Sequence, residues 1–169
     1  MKQSKYILLS IAVLLVIILG FIKTDKQSEI KDENKTETSS VASCYIWNTE
    51  AGDSAKLKLV FDITDLDNNT ISGGFFDFSP AGKDKKSGPL SGSFDVEGDR
   101  ATGHLIWDAS AEGVTNKEEL IVIFGLDIAQ PGFGEMKESS NGIFVYADPK
   151  NISYPINLQR TDCDDSAMN

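Results

Sequence analysis

Few residues in this chain are of a type that does chemistry, and they are scattered. His104 is the single histidine, and Cys44 and Cys163 are the two cysteines. Acids such as Asp108, Glu112, Glu118, Glu119 and Glu135 crowd the second half. One imidazole falls short of the nitrogen and sulfur ligands that a zinc site needs. No serine sits in the G-x-S-x-G turn that would expose it as a nucleophile. His104 therefore reads as an outward-facing strand residue. Two facing carboxylates, for example Glu112 and Glu135, could hydrolyse a glycosidic bond. A chain with 26 acids offers many such pairs, and most surface acids are simply solvated. Asp65-Leu66-Asp67-Asn68-Asn69 begins with the alternating oxygens of a calcium loop. Thr70 then stands where that loop requires glycine, and Phe76 where it requires an acid. A turn built from Asp and Asn is expected instead. No catalytic, metal-ligating or cofactor-binding residue is assigned.

Two further features could serve binding. Gly132-Phe133-Gly134-Glu135-Met136 places glycines around an aromatic ring, as phosphate-cradling loops do, but lacks the strand-to-helix context of such loops. It reads as a tight turn or bulge leading back into a sheet. The aromatic residues either fill a core or line a mouth. If they line a mouth, Trp47, Trp107, Phe133 and Tyr146, with Glu135, form the candidate binding surface.

The elements that must position these residues read as strands. After residue 41 no helical apolar period is sustained, whereas alternation with period two recurs. Strands are expected at 44–48, 56–63, 71–78, 90–97, 101–108, 120–124, 142–147 and 152–158. Clusters of turn residues separate them at 65–69, 80–88, 97–99, 139–142 and 148–149. About eight short strands with short connections predict an all-β fold. The expected form is a small antiparallel up-and-down barrel, lipocalin-like in outline, because closure removes exposed edges. A β-sandwich is the alternative. Glycines within strands (Gly73, Gly74, Gly92, Gly103) suit a strongly bent sheet.

The N-terminal part is of another kind. Residues 6–22 are almost wholly apolar and flanked by Lys5 and Lys23. As a helix they reach about 25 Å, close to a ~30 Å hydrocarbon core, and the lysines can snorkel at either side. Residues 1–23 are thus expected to be a membrane anchor. Residues 24–40 are polar, with one large hydrophobe, Ile30, and are expected to be a disordered linker. Residues 41–169 form the folded domain. Val41-Ala42-Ser43-Cys44 fits a lipidation site, but a mostly polar stretch separates it from the apolar run. Six of the 16 Lys+Arg and five of the 26 Asp+Glu precede residue 41, leaving the domain a net charge of −11. Such a surface repels phosphate backbones and argues against nucleic-acid binding. Cysteines at both borders of the domain are expected to pair, joining the first and last strands. A disulfide places the domain outside the cytoplasm.

Cys44-Tyr45, the Lys83-Asp84-x-x-Ser87-Gly88 turn followed by Gly92, Ala111-Glu112-Gly113 before Glu118-Glu119-Leu120, and Gly134-Glu135 carry a resemblance. With Ile152-Ser153-Tyr154, Leu158 and Cys163, the chain resembles a family of small exported bacterial proteins, many of them lipoproteins or membrane-anchored. The resemblance implies attachment to a bacterial cytoplasmic membrane and brings no activity. A fainter similarity, in the early and late cysteines alone, is to small barrel lipoproteins that inhibit lysozyme. The expected function is a non-enzymatic module that binds a small molecule or an envelope protein. A small cell-wall or glycan hydrolase and a lysozyme-inhibitor-like protein are the alternatives.

The unbroken apolar run lacks a good cleavage site after it. The mature protein is expected to retain residues 1–22 and to stay with membranes through alkaline carbonate washing. A soluble form starting near Thr24 would show a removed signal peptide, and a lipidated Cys44 would show a lipoprotein.

Overall fold

The computed structural model describes residues 40–63 and 69–164. The expected anchor, nearly all of the linker and most of the Asp65–Asn69 turn lie outside the described residues. Among the described residues no helix is long and apolar enough to cross a membrane.

The domain is all-β. Its strands are β1 Ser40–Asn48, β2 Ser54–Asp62, β3 Thr70–Ser79, β4 Lys86–Glu97, β5 Arg100–Ala111, β6 Val114–Phe124, β7 Ile128–Pro131, β8 Met136–Glu138, β9 Phe144–Tyr146 and β10 Leu158–Thr161. Strands β1 to β7 pair in sequence order, and β10 pairs with both β7 and β1. Every neighbour in this ring is antiparallel, so eight strands close into an up-and-down barrel. The closed ring rules out the sandwich. Tight turns make the meander possible. At the β5–β6 hairpin, Glu112 (φ 49°) and Gly113 (φ 82°) both take the left-handed conformation, which matches the twist of the flanking strands.

Alternation turns one face of each strand inward. Tyr45, Leu57, Leu59, Phe76, Leu105 and Leu158 are fully buried and belong to a single apolar cluster with Trp107, Val122 and Phe124. Some of the rings meet edge to face, as aromatic quadrupoles prefer: Phe76 and Trp107 at 5.0 Å, Phe61 and Phe94 at 5.6 Å. The barrel is therefore solidly filled. Gly88 and Gly92 let β4 close against β5. A β-carbon there would lie 1.9 Å from the Asp108 carbonyl oxygen and 2.2 Å from that of His104, respectively.

The ring differs from the sequence reading in its membership. The expected strand at 142–147 shortens to β9, which lies outside the ring. It pairs in parallel with β6 at Glu118 and antiparallel with β8. The expected strand at 152–158 keeps its alternation, with Ile156 and Leu158 buried, but joins no ladder until Leu158. Pro155 has no N–H to offer one. Its place in the ring passes to residues 158–161, and the short β7 completes the count. The expected turn at 80–88 ends earlier, because β4 begins at Lys86. Val96, near the end of β4, is half exposed.

Closure rests on a thin seam. β10 makes three register pairs with β1 and two with β7, whereas β5 and β6 make eleven. The Cys44–Cys163 disulfide spans that seam, with Cα atoms 5.3 Å apart and Cys44 fully buried. It closes a loop with a sequence separation of 119. Replacing Cys44 with Ser is expected to lower stability by about 4–5 kcal/mol in the chain-entropy picture, read from urea unfolding. The far-ultraviolet circular dichroism should keep its β signature. A loss under about 1 kcal/mol would show that the seam holds without the crosslink.

Candidate functional site

The five residues expected to form a binding surface are dispersed by the fold. Trp107, on β5, is buried and its indole N–H donates to the Gly88 carbonyl at 3.2 Å. Trp47 is half-buried near the end of β1 and packs on the core. Phe133 is half-buried, with its ring centre 5.1 Å from that of Phe78. Tyr146, on β9, is buried, and its hydroxyl donates to the Gly132 carbonyl at 2.9 Å. Glu135 alone is exposed, its backbone carbonyl accepting from the Ala147 N–H at 2.8 Å.

Phe133, Glu135 and Tyr146 belong to residues 132–157, the stretch between β7 and β10. There the Gly132 N–H donates to the Ile121 carbonyl at 2.7 Å, and Phe133 bridges to Ser153. The Gly-Phe-Gly string, expected as a tight turn or bulge, instead runs on from β7 without a turn and meets the chain again in an isolated bridge.

The acids do not converge on a cleft. Asp108 pairs with Lys117 at 2.8 Å, and Glu118 with Lys86 at 2.6 Å. Glu119 accepts from the Tyr146 backbone N–H at 3.1 Å. Glu112 and Glu135 are open to solvent. Among the described residues no group of three or more His, Cys, Asp or Glu side chains is placed to hold a metal ion.

One constellation appears only in the folded chain. The register of β4 and β5 sets Ser93 opposite His104, and Asp95 lies 3.5 Å from the His104 Nε2. These are the residue types of a hydrolytic triad. However, the Asp95 side chain is 82% exposed, and no hydrogen bond joins Ser93 to the imidazole among the described residues. A working triad needs a buried, orienting carboxylate and donors for an oxyanion. This set lies on an open barrel wall. The two-residue turn between β4 and β5 was the sequence signal for it, because a tight hairpin fixes which residues face each other.

A shallow recess also lies on the outer wall. β3 and β4 are in register at Ile71–Gly92 and again at Phe75–Pro89, with one more residue on β3 than on β4 between those pairs. The bulge opens a depression of about 310 Å³ over Ser72, Gly73 and Gly74, bordered by Ser91, Asp108 and Lys117. Gly73 faces open space: a β-carbon there would meet nothing within 4 Å. Pro89, which faces Phe75 at one end of the bulge, has no N–H to give the ladder there.

Burial, helped by the nearby Glu119 carboxylate, pushes the Tyr146 hydroxyl up from its ordinary 10.0 to about 12. Burial likewise raises Tyr45, whose hydroxyl donates to the Gly125 carbonyl at 3.1 Å. In the unfolded chain these phenols ionise near pH 10, while the folded barrel holds Tyr146 neutral to about 12. The stability that Tyr146 contributes is therefore full below pH 10 and is lost as the pH rises through this window. Tyr146→Phe should lower neutral stability by about 1 kcal/mol through the lost hydrogen bond. It should also make the fall in melting temperature between pH 10 and 12 shallower, and an unchanged alkaline slope would deny the buried phenol its role.

No family model, curated protein or solved structure matches the chain.

Proposed function

We propose that this protein is a non-enzymatic binding module, tethered to a bacterial cytoplasmic membrane through residues 6–22, with its barrel outside the cytoplasm. The observation that carries this reading is the filled interior. Phe, Leu, Tyr and Trp side chains occupy the barrel that lipocalin-like proteins keep open for ligands. A ligand must then be met on the outside of the barrel, by its wall or by residues 132–157. The apolar run supports the tether, and the Cys44–Cys163 bond supports an oxidising compartment. The hydrolase alternative gains no facing pair of carboxylates, since Glu112 and Glu135 both stand in solvent.

Two measurements on the full chain test this. In spheroplasts, protease added outside should remove the barrel's epitopes while leaving cytoplasmic proteins whole. Survival of the barrel would place it inside. Incubated with purified cell wall, the protein should release no soluble fragments, and release abolished by Glu112→Gln or Glu135→Gln would make it a hydrolase.

A further inference from the structure

The depression over Gly73 and Gly74 has a chemistry that narrows what it can hold. On one side, the Asp108 carboxylate and the Lys117 ammonium lie 2.8 Å apart. Their charges cancel, so an anion would have to displace Asp108 and a cation would have to displace Lys117. Left in place, the pair offers one strong acceptor beside one strong donor. The Ser91 hydroxyl adds a further partner, Ser72 keeps only its acceptor side because its hydroxyl donates to the Val60 carbonyl at 3.2 Å, and Pro89 and Ile106 supply apolar surface. Phe75, next along β3 and 38% exposed, extends that surface. An apolar ligand would take the Asp108–Lys117 pair out of water with nothing to offer in return. An extended peptide would need a sheet edge, and here the ring is closed on both sides of the gap.

A ligand with adjacent neutral hydroxyls and a hydrocarbon face satisfies both halves of this lining. Neighbouring hydroxyls can donate to Asp108 and accept from Lys117, while C–H groups lie on Pro89, Ile106 and the Phe75 ring. A volume of about 310 Å³ is at the small end for ligand sites, room for about one or two sugar rings. We propose that this outer-wall depression is a subsite for a neutral oligosaccharide. The proposal rests on the reading that the barrel takes its ligand on the outside, and it names the class of that ligand. A shallow site with so few polar groups binds weakly, with a Kd of about 1 mM for a single chain.

Gly73 supplies the decisive variant. Its φ is outside the left-handed region and its β-carbon would enter open space, so Gly73→Trp places an indole in the recess without straining the strand. The full chain, isotope-labelled and held in detergent, is titrated with a tetramer of N-acetylglucosamine and, separately, a tetramer of glucose. Amide shifts at Ser72, Gly73, Gly74 and Ser91 are expected with at least one of them. Those shifts should vanish in Gly73→Trp while its melting temperature stays that of the parent. Lys117→Gln gives a second reading that leaves the recess open. Its exposed ion pair contributes little to stability, and binding should weaken about tenfold. No shift at these amides up to about 10 mM of either sugar would overturn the proposal, as would shifts that persist in Gly73→Trp. Shifts accompanied by shortened sugars would keep the subsite and overturn the non-enzymatic reading. A protein partner crosslinked to residues 132–157, with the depression silent, would overturn the subsite alone.

Discussion

A barrel is stable as a barrel only if its first strand finds its last, and in this molecule that meeting is made by few contacts. β10 gives β1 three register pairs, and the next link, from β10 to β7, has two. Supports gather around this narrow place. The Arg160 N–H donates to the Asp127 carbonyl at 2.8 Å, and its guanidinium donates to the Leu126 carbonyl at 3.1 Å. Tyr45 reaches across to Gly125, and Cys44 is bonded to Cys163. Each of these ties a strand of the seam to something other than its ladder partner. The filled core depends on the seam in turn, because Leu158 and Tyr45, both buried, belong to the two strands that meet there.

Once the ring is shut and filled, the interior has no function left except cohesion. On the proposed binding role, recognition falls to the wall and the ends, where the sheet departs from regularity. The β3 bulge is such a departure, and residues 132–157 are another. Both occur where a ladder is interrupted, by an extra residue in one case and by a long connection in the other. A closed barrel has no free edges to elaborate, so local faults in pairing are what remain to shape its surface.

Much of the architecture was legible because burial on one face imposes period two. Leu57 and Leu59 against Lys56 and Lys58 could hardly be read otherwise, and both leucines are fully buried. The cysteine pair was legible from position alone. What escaped were short elements. β7 has four residues following Asp127, too few for a pattern to emerge. β9 and residues 152–157 have convincing strand sequences, yet β7 takes the Val122–Phe124 stretch of β6 and β9 meets β6 only at Glu118, a tertiary choice. Of the candidate surface, residue type alone could not tell a lining aromatic from a core one. Trp107 and Tyr146 are held inside by hydrogen bonds to carbonyls at Gly88 and Gly132, contacts made far along the chain. The depression was hidden for a different reason: glycines make a site by lacking atoms, and a sequence displays what is present.

The meander also sets a timetable. Hairpins from β1 to β6 join neighbours in the chain and can form as soon as each is made. The other edge of β1 waits for a strand whose cysteine lies 119 positions further on. At ribosomal speed, that interval is roughly 10 s for a chain made N-terminus first. Throughout it, β1 presents an unpaired edge to any other strand in reach. The bond between Cys44 and Cys163 can form only after the wait is over, so it cannot shield the open edge of β1 while the chain is being made.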